Sequence, residues 1–259
     1  MAVADQRGRV RRPRRLPTRD RFPGWRVLLV QVLLVGGAAI AYFAIRNLTQ
    51  GELARSIANA RRVVDIEVVL GIDWETGLQS LIIDRRALVT LVNWLYIYGH
   101  WPMVGATLAL LFVLVPSRYY LLRNAMFISG AIGLVFFALL PVAPPRFGIL
   151  DLVDTVTQRS SSYRALQPPG LINRYAALPS LHFGWNLLVG IVLWQTTRNR
   201  AVRAFVLIMV PAMAFAVVAT ANHYVFDVVV GGVVALAGLA AARALPSVRA
   251  TPAWARAPE

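Results

Sequence analysis

The sequence predicts an all-α fold: a polytopic membrane helical bundle of about six transmembrane helices, with further helices at the interface. Three observations predict it. The 259 residues are 58% hydrophobic and mean hydropathy is positive, which is too apolar for a soluble domain of this length. The apolar residues recur in runs of roughly the 20 residues that cross a bilayer as a helix, where a single anchor would give one such run. Arginine-bearing turns separate the runs, as loops flanking spans require.

Residues 1–26 carry nine arginines, three prolines before Gly24 and almost no apolar periodicity, and are read as a disordered basic cytoplasmic tail. Val27 to Ile45 is the first span. It is long and lacks a small-x-small cleavage site, so it is read as uncleaved, not as a signal peptide. Residues 47–85 mix Arg55, Arg61, Arg62, Asp65 and Glu67 with Ile57, Val63, Val64, Val68, Val69 and Leu70, a one-sided pattern that suits interfacial helices. Further runs follow at about 87–115, 124–141, 180–197, 203–221 and 224–245. The 87–115 run exceeds one upright helix, and Gly99 and Pro102 are placed to kink it; a seven-span count is the alternative. Its Trp94, Tyr96, Tyr98 and Trp101 suit a headgroup-level aromatic belt. Residues 27–245 then form one membrane domain and 246–259 a second cytoplasmic tail.

Composition removes several functions. With no cysteine there is neither a disulfide framework nor a thiolate metal site. All 27 basic residues are arginine, a fork-shaped donor suited to phosphate. The net charge of +15 does not imply nucleic acid, because the excess lies in the tail and the span-flanking loops, where it sets topology and meets anionic lipid. With six spans, the tail, the turns 117–123 and 198–200, and Arg243, Arg249 and Arg256 share one side, which the positive-inside rule makes cytoplasmic. The loop 142–178 and the turn at Asn222 then face outward from a multi-pass protein of the plasma membrane.

Chemically loaded residues gather on that outer side. His223 and Asp227 stand four apart at the head of an apolar run; on a helix this spacing stacks them on one face, so the carboxylate can anchor one ring nitrogen. Apart from Glu259, Asp227 is the only carboxylate of the last hundred residues, and ionisable groups inside spans mark function. Pro179-Ser180-Leu181-His182 opens another span: Pro179 suits a first turn, Ser180 can cap, and the helix start attracts anions within reach of His182. Pro144-Pro145 fixes the path of Arg146, a candidate phosphate ligand. Each reading has a plainer one beside it. Ser180 suits ordinary capping, Tyr96 an interfacial anchor, His100 a helix-packing hydrogen bond, and Gly231, Gly232 and Gly238 close helix packing. Three histidines and one carboxylate lack metal-ligand spacing, and neither metal nor cofactor is expected.

The order Pro-Pro-Arg at 144–146, Pro-Ser-x-His at 179–182 and Asn-His-x-x-x-Asp at 222–227 resembles the type 2 phosphatidic acid phosphatase superfamily, with motif-level likeness over about 124–245. Leu181 stands where the superfamily's second motif usually has glycine, and Val217 where its third usually has arginine, six residues before the histidine. The first motif also departs from the usual lysine followed by Arg-Pro. With Asn93, Tyr96 and His100 upstream, these departures look like the inositol phosphotransferase branch, which includes inositol phosphorylceramide synthase.

The resemblance implies a metal-independent phosphoryl transfer through a phosphohistidine. His223 matches the nucleophile, Asp227 its orienting carboxylate, and His182 the acid that protonates the leaving group and then deprotonates the acceptor. Arg146, Ser180 and Asn222 would hold phosphate oxygens, Tyr96 and His100 would line the substrate site, and Arg164 or Arg174 would replace the missing arginine. The partners expected are a lipid donor and an alcohol acceptor. The alternatives are a lipid phosphatase, with water as acceptor, and a transporter or proton relay built on the His and Asp pair. Oligomeric state is not legible.

Overall fold

The computed structural model describes residues 24–48, 51–159 and 174–245. Among these there are ten α-helices and no strand, so the all-α membrane bundle stands. The Arg-rich tail up to Pro23, Arg164 and the C-terminal tail from Pro246 lie outside the described residues.

Helix α1 (Trp25–Leu48) is apolar all round, lies outermost and packs mainly on α6. Helix α2 (Leu53–Leu70) ends at Gly71, whose φ of 68° only glycine adopts freely; the Gly71 and Ile72 amides close the last turn on Val68 and Glu67. The stripe α2 buries is Ser56, Asn59, Ala60, Val63 and Glu67, at helical spacing and largely polar. Its apolar Ile66, Val68, Val69 and Leu70 are exposed instead. The one-sided pattern is mixed: Ile57, Ala60, Val63 and Val64 pack inward together with Ser56, Asn59 and Glu67, while Arg61, Arg62 and Asp65 are exposed; two side chains of α2 satisfy carbonyls left open where α6 ends. Arg55 donates to the Leu139 carbonyl (2.7 Å) and Asn59 to that of Pro141 (2.9 Å). The short helix α3 (Glu75–Ser80) follows.

Helices α4 (Arg86–Tyr98) and α5 (Trp101–Leu114) are the two halves of the long 87–115 run, bent by 43° at Gly99 and His100 as Gly99 and Pro102 predict. Helix α6 (Pro116–Leu139) starts eight residues before the predicted span. The predicted turn 117–123 is helical because its arginines are satisfied within the bundle: Arg123 reaches Gln31 Oε1 and lies over the Tyr120 ring, and Arg118 donates to Gln195. After α7 (Thr155–Arg159) come α8 (Leu181–Thr196), α9 (Arg200–Ala219), capped by Asn199 Oδ1, and α10 (Val225–Ala244).

The core sits where α6, α8, α9 and α10 meet, around Leu122, Ala125, Leu188, Val189, Ala235 and Leu239. Four helices, α1, α6, α9 and α10, are each long and apolar enough to cross a membrane, and the bent α4–α5 pair makes five. Helix α8, at 16 residues, is shorter than the ~20 of a typical crossing, so length and composition alone count five spans against the six expected. It is the central helix, wrapped by α6, α9 and α10.

Candidate active site

The starts of α8 and α10 are brought together by backbone. A Cβ on Gly231 of α10 would sit 2.3 Å from the Ser180 carbonyl oxygen, and one on Gly184 of α8 would sit 2.6 Å from the Gly231 carbonyl oxygen. Only glycine admits this approach, and the Ser180 amide uses it to donate to the Asp227 carbonyl (3.0 Å). The close packing expected at Gly231 is present. Pro179 precedes the cap and is not a first-turn residue, since α8 begins at Leu181 with Ser180 as N-cap.

His182 and His223 face each other across this junction, with ring centroids 6.1 Å apart. The His223–Asp227 pair is real but differently built from the sequence expectation. His223 lies just before the helix, Tyr224 is the N-cap, and Asp227 reaches back from the first turn so that Oδ2 accepts the Tyr224 amide (2.9 Å) and lies 3.4 Å from His223 Nδ1. The nearer partner of Nδ1 is the Ala177 carbonyl, at 2.8 Å. A proton on Nδ1 donated there leaves Nε2 with its lone pair. The Ala177 carbonyl is set by pairing of two loop segments: the Val142 amide donates to Tyr175 and the Ala177 amide to Val142.

His182 is held by rings. Tyr96 stacks on it at 4.8 Å and 11°, and His100 packs at 4.2 Å. Both are buried, so Tyr96 is no interfacial anchor and His100 belongs to the site. Asn186, one turn beyond His182, donates to the His182 carbonyl (2.8 Å) and lies 3.0 Å from His100 Nδ1. The sequence offered this as His-x-x-x-Asn on one helix face, and sequence reasoning missed it.

Arg146 sits on a 3-10 turn (Pro145–Phe147) and its Nη1 donates to Asn222 Oδ1, beside His223. Its Nε is 3.6 Å from Asp154, which offsets part of its charge. Asn222 donates its amide to Thr220 and thus positions Arg146. Ala221, at φ 58°, holds a left-handed conformation unusual for a residue with a Cβ, and its carbonyl accepts the Arg146 amide. Ser180 is fully buried and its hydroxyl caps the Phe183 amide, so its place is that of a helix cap. Asn93 is bound to Thr155 on both sides of its amide. Arg174 is exposed, and no contact among the described residues joins it to the histidines.

The unusual motif residues turn away from the histidines. Leu181 packs against Gly133 of α6, and Val217 is buried in an apolar cluster while its carbonyl accepts the Asn222 and His223 amides. Another cation, missed in the sequence, stands near: Arg46 in the last turn of α1 lies over Phe137, and its charge acts on both His100 and His182. The sequence showed it only as the residue that closes the first apolar run.

Among the described residues no cluster of three His, Cys, Asp or Glu could hold a metal ion. Neither the curated proteins nor the solved structures searched gave a match to the chain. The family model of the PAP2 superfamily matches residues 61–241, a stretch that holds His100, Arg146, His182, His223 and Asp227. With most of its length matched, the chain belongs to the PAP2 superfamily, a family of phosphatases and phosphotransferases acting on lipid phosphates.

Proposed function

We propose that this protein is a membrane phosphotransferase that moves a phosphorylated head group from a lipid donor to an alcohol through a phosphohistidine on His223. The observation that carries the reading is the pair of imidazoles 6.1 Å apart, one with its Nδ1 anchored by Ala177 and Asp227. His223 Nε2 attacks phosphorus as the donor's P–O bond breaks, and His182 gives its proton to the departing oxygen. The acceptor hydroxyl then passes its proton to His182 and attacks phosphorus, and the P–N bond breaks. Arg146 and Arg46 supply positive charge to the phosphoryl oxygens, and Asn222 aims Arg146.

A lipid substrate is supported by an apolar cavity of about 380 Å³ among α1, α5, α6 and α8, walled by Val35, Tyr42, Trp101, Phe127, Leu134 and Trp185. Trp101 and Trp185 also touch His100, so the cavity runs up to the ring that contacts His182. An alcohol acceptor is supported by the burial of His223, which is only 5% exposed and so shielded from bulk water. Inositol phosphate as head group rests on Leu181 and Val217 and their likeness to the inositol phosphotransferase branch. We place the site at the outer leaflet of the plasma membrane on the arginine distribution. The histidines gather at the starts of α8 and α10 and at the α4–α5 bend, which favours an enzyme over a transporter or proton relay. The test is purified protein with a head-group-labelled lipid, with and without alcohols. Label transferred to the alcohol is expected; release of phosphate or head-group phosphate alone would make the protein a hydrolase with water as acceptor.

A further inference from the structure

Three successive backbone amides after His223 are each taken by a carboxylate from a different helix. Asp227 of α10 accepts the Tyr224 amide at 2.9 Å, Glu75 of α3 accepts that of Val225 at 2.8 Å, and Glu67 of α2 accepts that of Phe226 at 2.6 Å. A helix start has open amides and a positive dipole end, and one capping group commonly serves it. Here Glu67 and Glu75 are fully buried beside Asp227. Three full negative charges packed so closely in a dry site would repel one another strongly, so they are not all ionised.

We propose that Glu67 and Glu75 are positioning residues for the nucleophile: a carboxyl–carboxylate pair, sharing one proton, that fixes the head of α10 and through it the ring of His223. The inference rests on the reading of His223 as nucleophile. As two carboxylates neither side chain could donate to the other, and Glu67 Oε2 has no hydrogen-bond partner. A proton held between them joins the two by a hydrogen bond and removes one charge. Burial pushes the Glu67 carboxyl up to about 9, and the charge and hydrogen bond of Glu75 and the charge of Asp227 contribute. The other titratable or charged groups around the helix head are Tyr224 at its cap, His223 beside it, and Arg146 from the 3-10 turn. On the opposite flank the Val217 carbonyl accepts the Asn222 and His223 amides. The nucleophile's backbone is thereby gripped from both sides, and the 2.8 Å bond from Nδ1 to Ala177 depends on that grip.

The test uses the full chain in detergent, a short-chain fluorescent phosphatidic acid as probe, and ¹⁵N-histidine spectra, which need resolve only three histidines. Glu67→Ala should lower kcat by about tenfold or more with KM unchanged and move the His223 ring signals. Glu67→Gln keeps an acceptor for Phe226 and a donor for Glu75, so it should restore kcat and lack the loss of kcat expected of the wild type above a pH of about 9. Should Glu67→Ala fail to accumulate, Glu75→Gln carries the test: it still caps Val225 but donates to Glu67 without the shared proton, so the alkaline loss of kcat should disappear. The proposal is overturned if Gln at 67 is no better than Ala, or if Ala leaves the His223 signals and the pH profile unchanged. Activity surviving in His223→Ala would sink the nucleophile assignment alone, whereas the ring signals would still decide whether the pair positions His223.

Discussion

Gly231→Ala tests the architecture of the site without touching its chemistry. The added methyl carbon would lie 2.3 Å from the Ser180 carbonyl oxygen, 2.9 Å from its carbonyl carbon and 3.1 Å from its nitrogen. All three are backbone atoms that cannot rotate aside. Restoring ordinary van der Waals contact requires the start of α8 to retreat by roughly 1 Å from α10, carrying His182 with it. Overpacking of this kind costs about 1–3 kcal/mol of stability. A misplacement of about 1 Å in a reacting pair costs on the order of a hundredfold in rate. Turnover of a lipid phosphate should therefore fall by about two orders of magnitude, against a loss of only a few degrees in melting temperature. Gly105→Ala in α5 is the control, because nothing lies within 4 Å of its Cβ position and alanine favours the helix. Wild-type turnover in a folded Gly231→Ala protein would refute the claim that the α8–α10 contact sets the distance between the histidines.

His223→Ala should abolish turnover in a folded protein, and the ³²P from a labelled donor expected on the wild-type chain after an alkaline quench, which spares a P–N bond, should be absent. Asp227→Asn keeps an acceptor for the Tyr224 amide but loses the charge facing Nδ1, so rate should drop far more than melting temperature. His182→Ala should be partly rescued by a substrate with a good leaving group; absence of rescue would mark His182 as structural. Arg46→Gln should raise KM for the lipid phosphate and weaken inhibition by inorganic phosphate, read from initial rates. Stability should also depend on the Glu67 proton. The folded protein holds this proton up to a pH of about 9 while the unfolded chain releases it near 4.5, so the folded state binds more protons between these values and stability falls as pH rises through that window. Melting curves of Glu67→Gln should lack this part of the slope.

Much of the helical frame was legible because long apolar runs and kink residues are local signals. The α4–α5 bend at Gly99 and the boundaries of α10 follow from the residues themselves. Other span boundaries were less legible: α8 reads as a run of 18 residues, and its helix is shorter because Ser180 caps it and Thr197 ends it. His223 and Asp227 were legible as a pair, but their geometry was not: the contact depends on where a helix begins, and two residues move His223 from its first turn to its approach. Ala177 was invisible, since any residue supplies a carbonyl and its direction is set by pairing of its segment with Val142, far away in sequence. Glu67 looked like an ordinary charge of an interfacial helix and Glu75 did not stand out, and only the tertiary contact of α2 and α3 with α10 gives them a task.

The outermost placement of α1 bears on how the protein should be handled. This helix leans mainly on α6 and forms one wall of an oily chamber, so under the lipid-substrate reading proposed above a hydrocarbon tail would enter sideways from the bilayer. A surfactant tail fits the same room. Extraction therefore presents the enzyme with a competitor present in vast excess, and its apparent affinity for lipid becomes a property of the solubilising agent as much as of the protein.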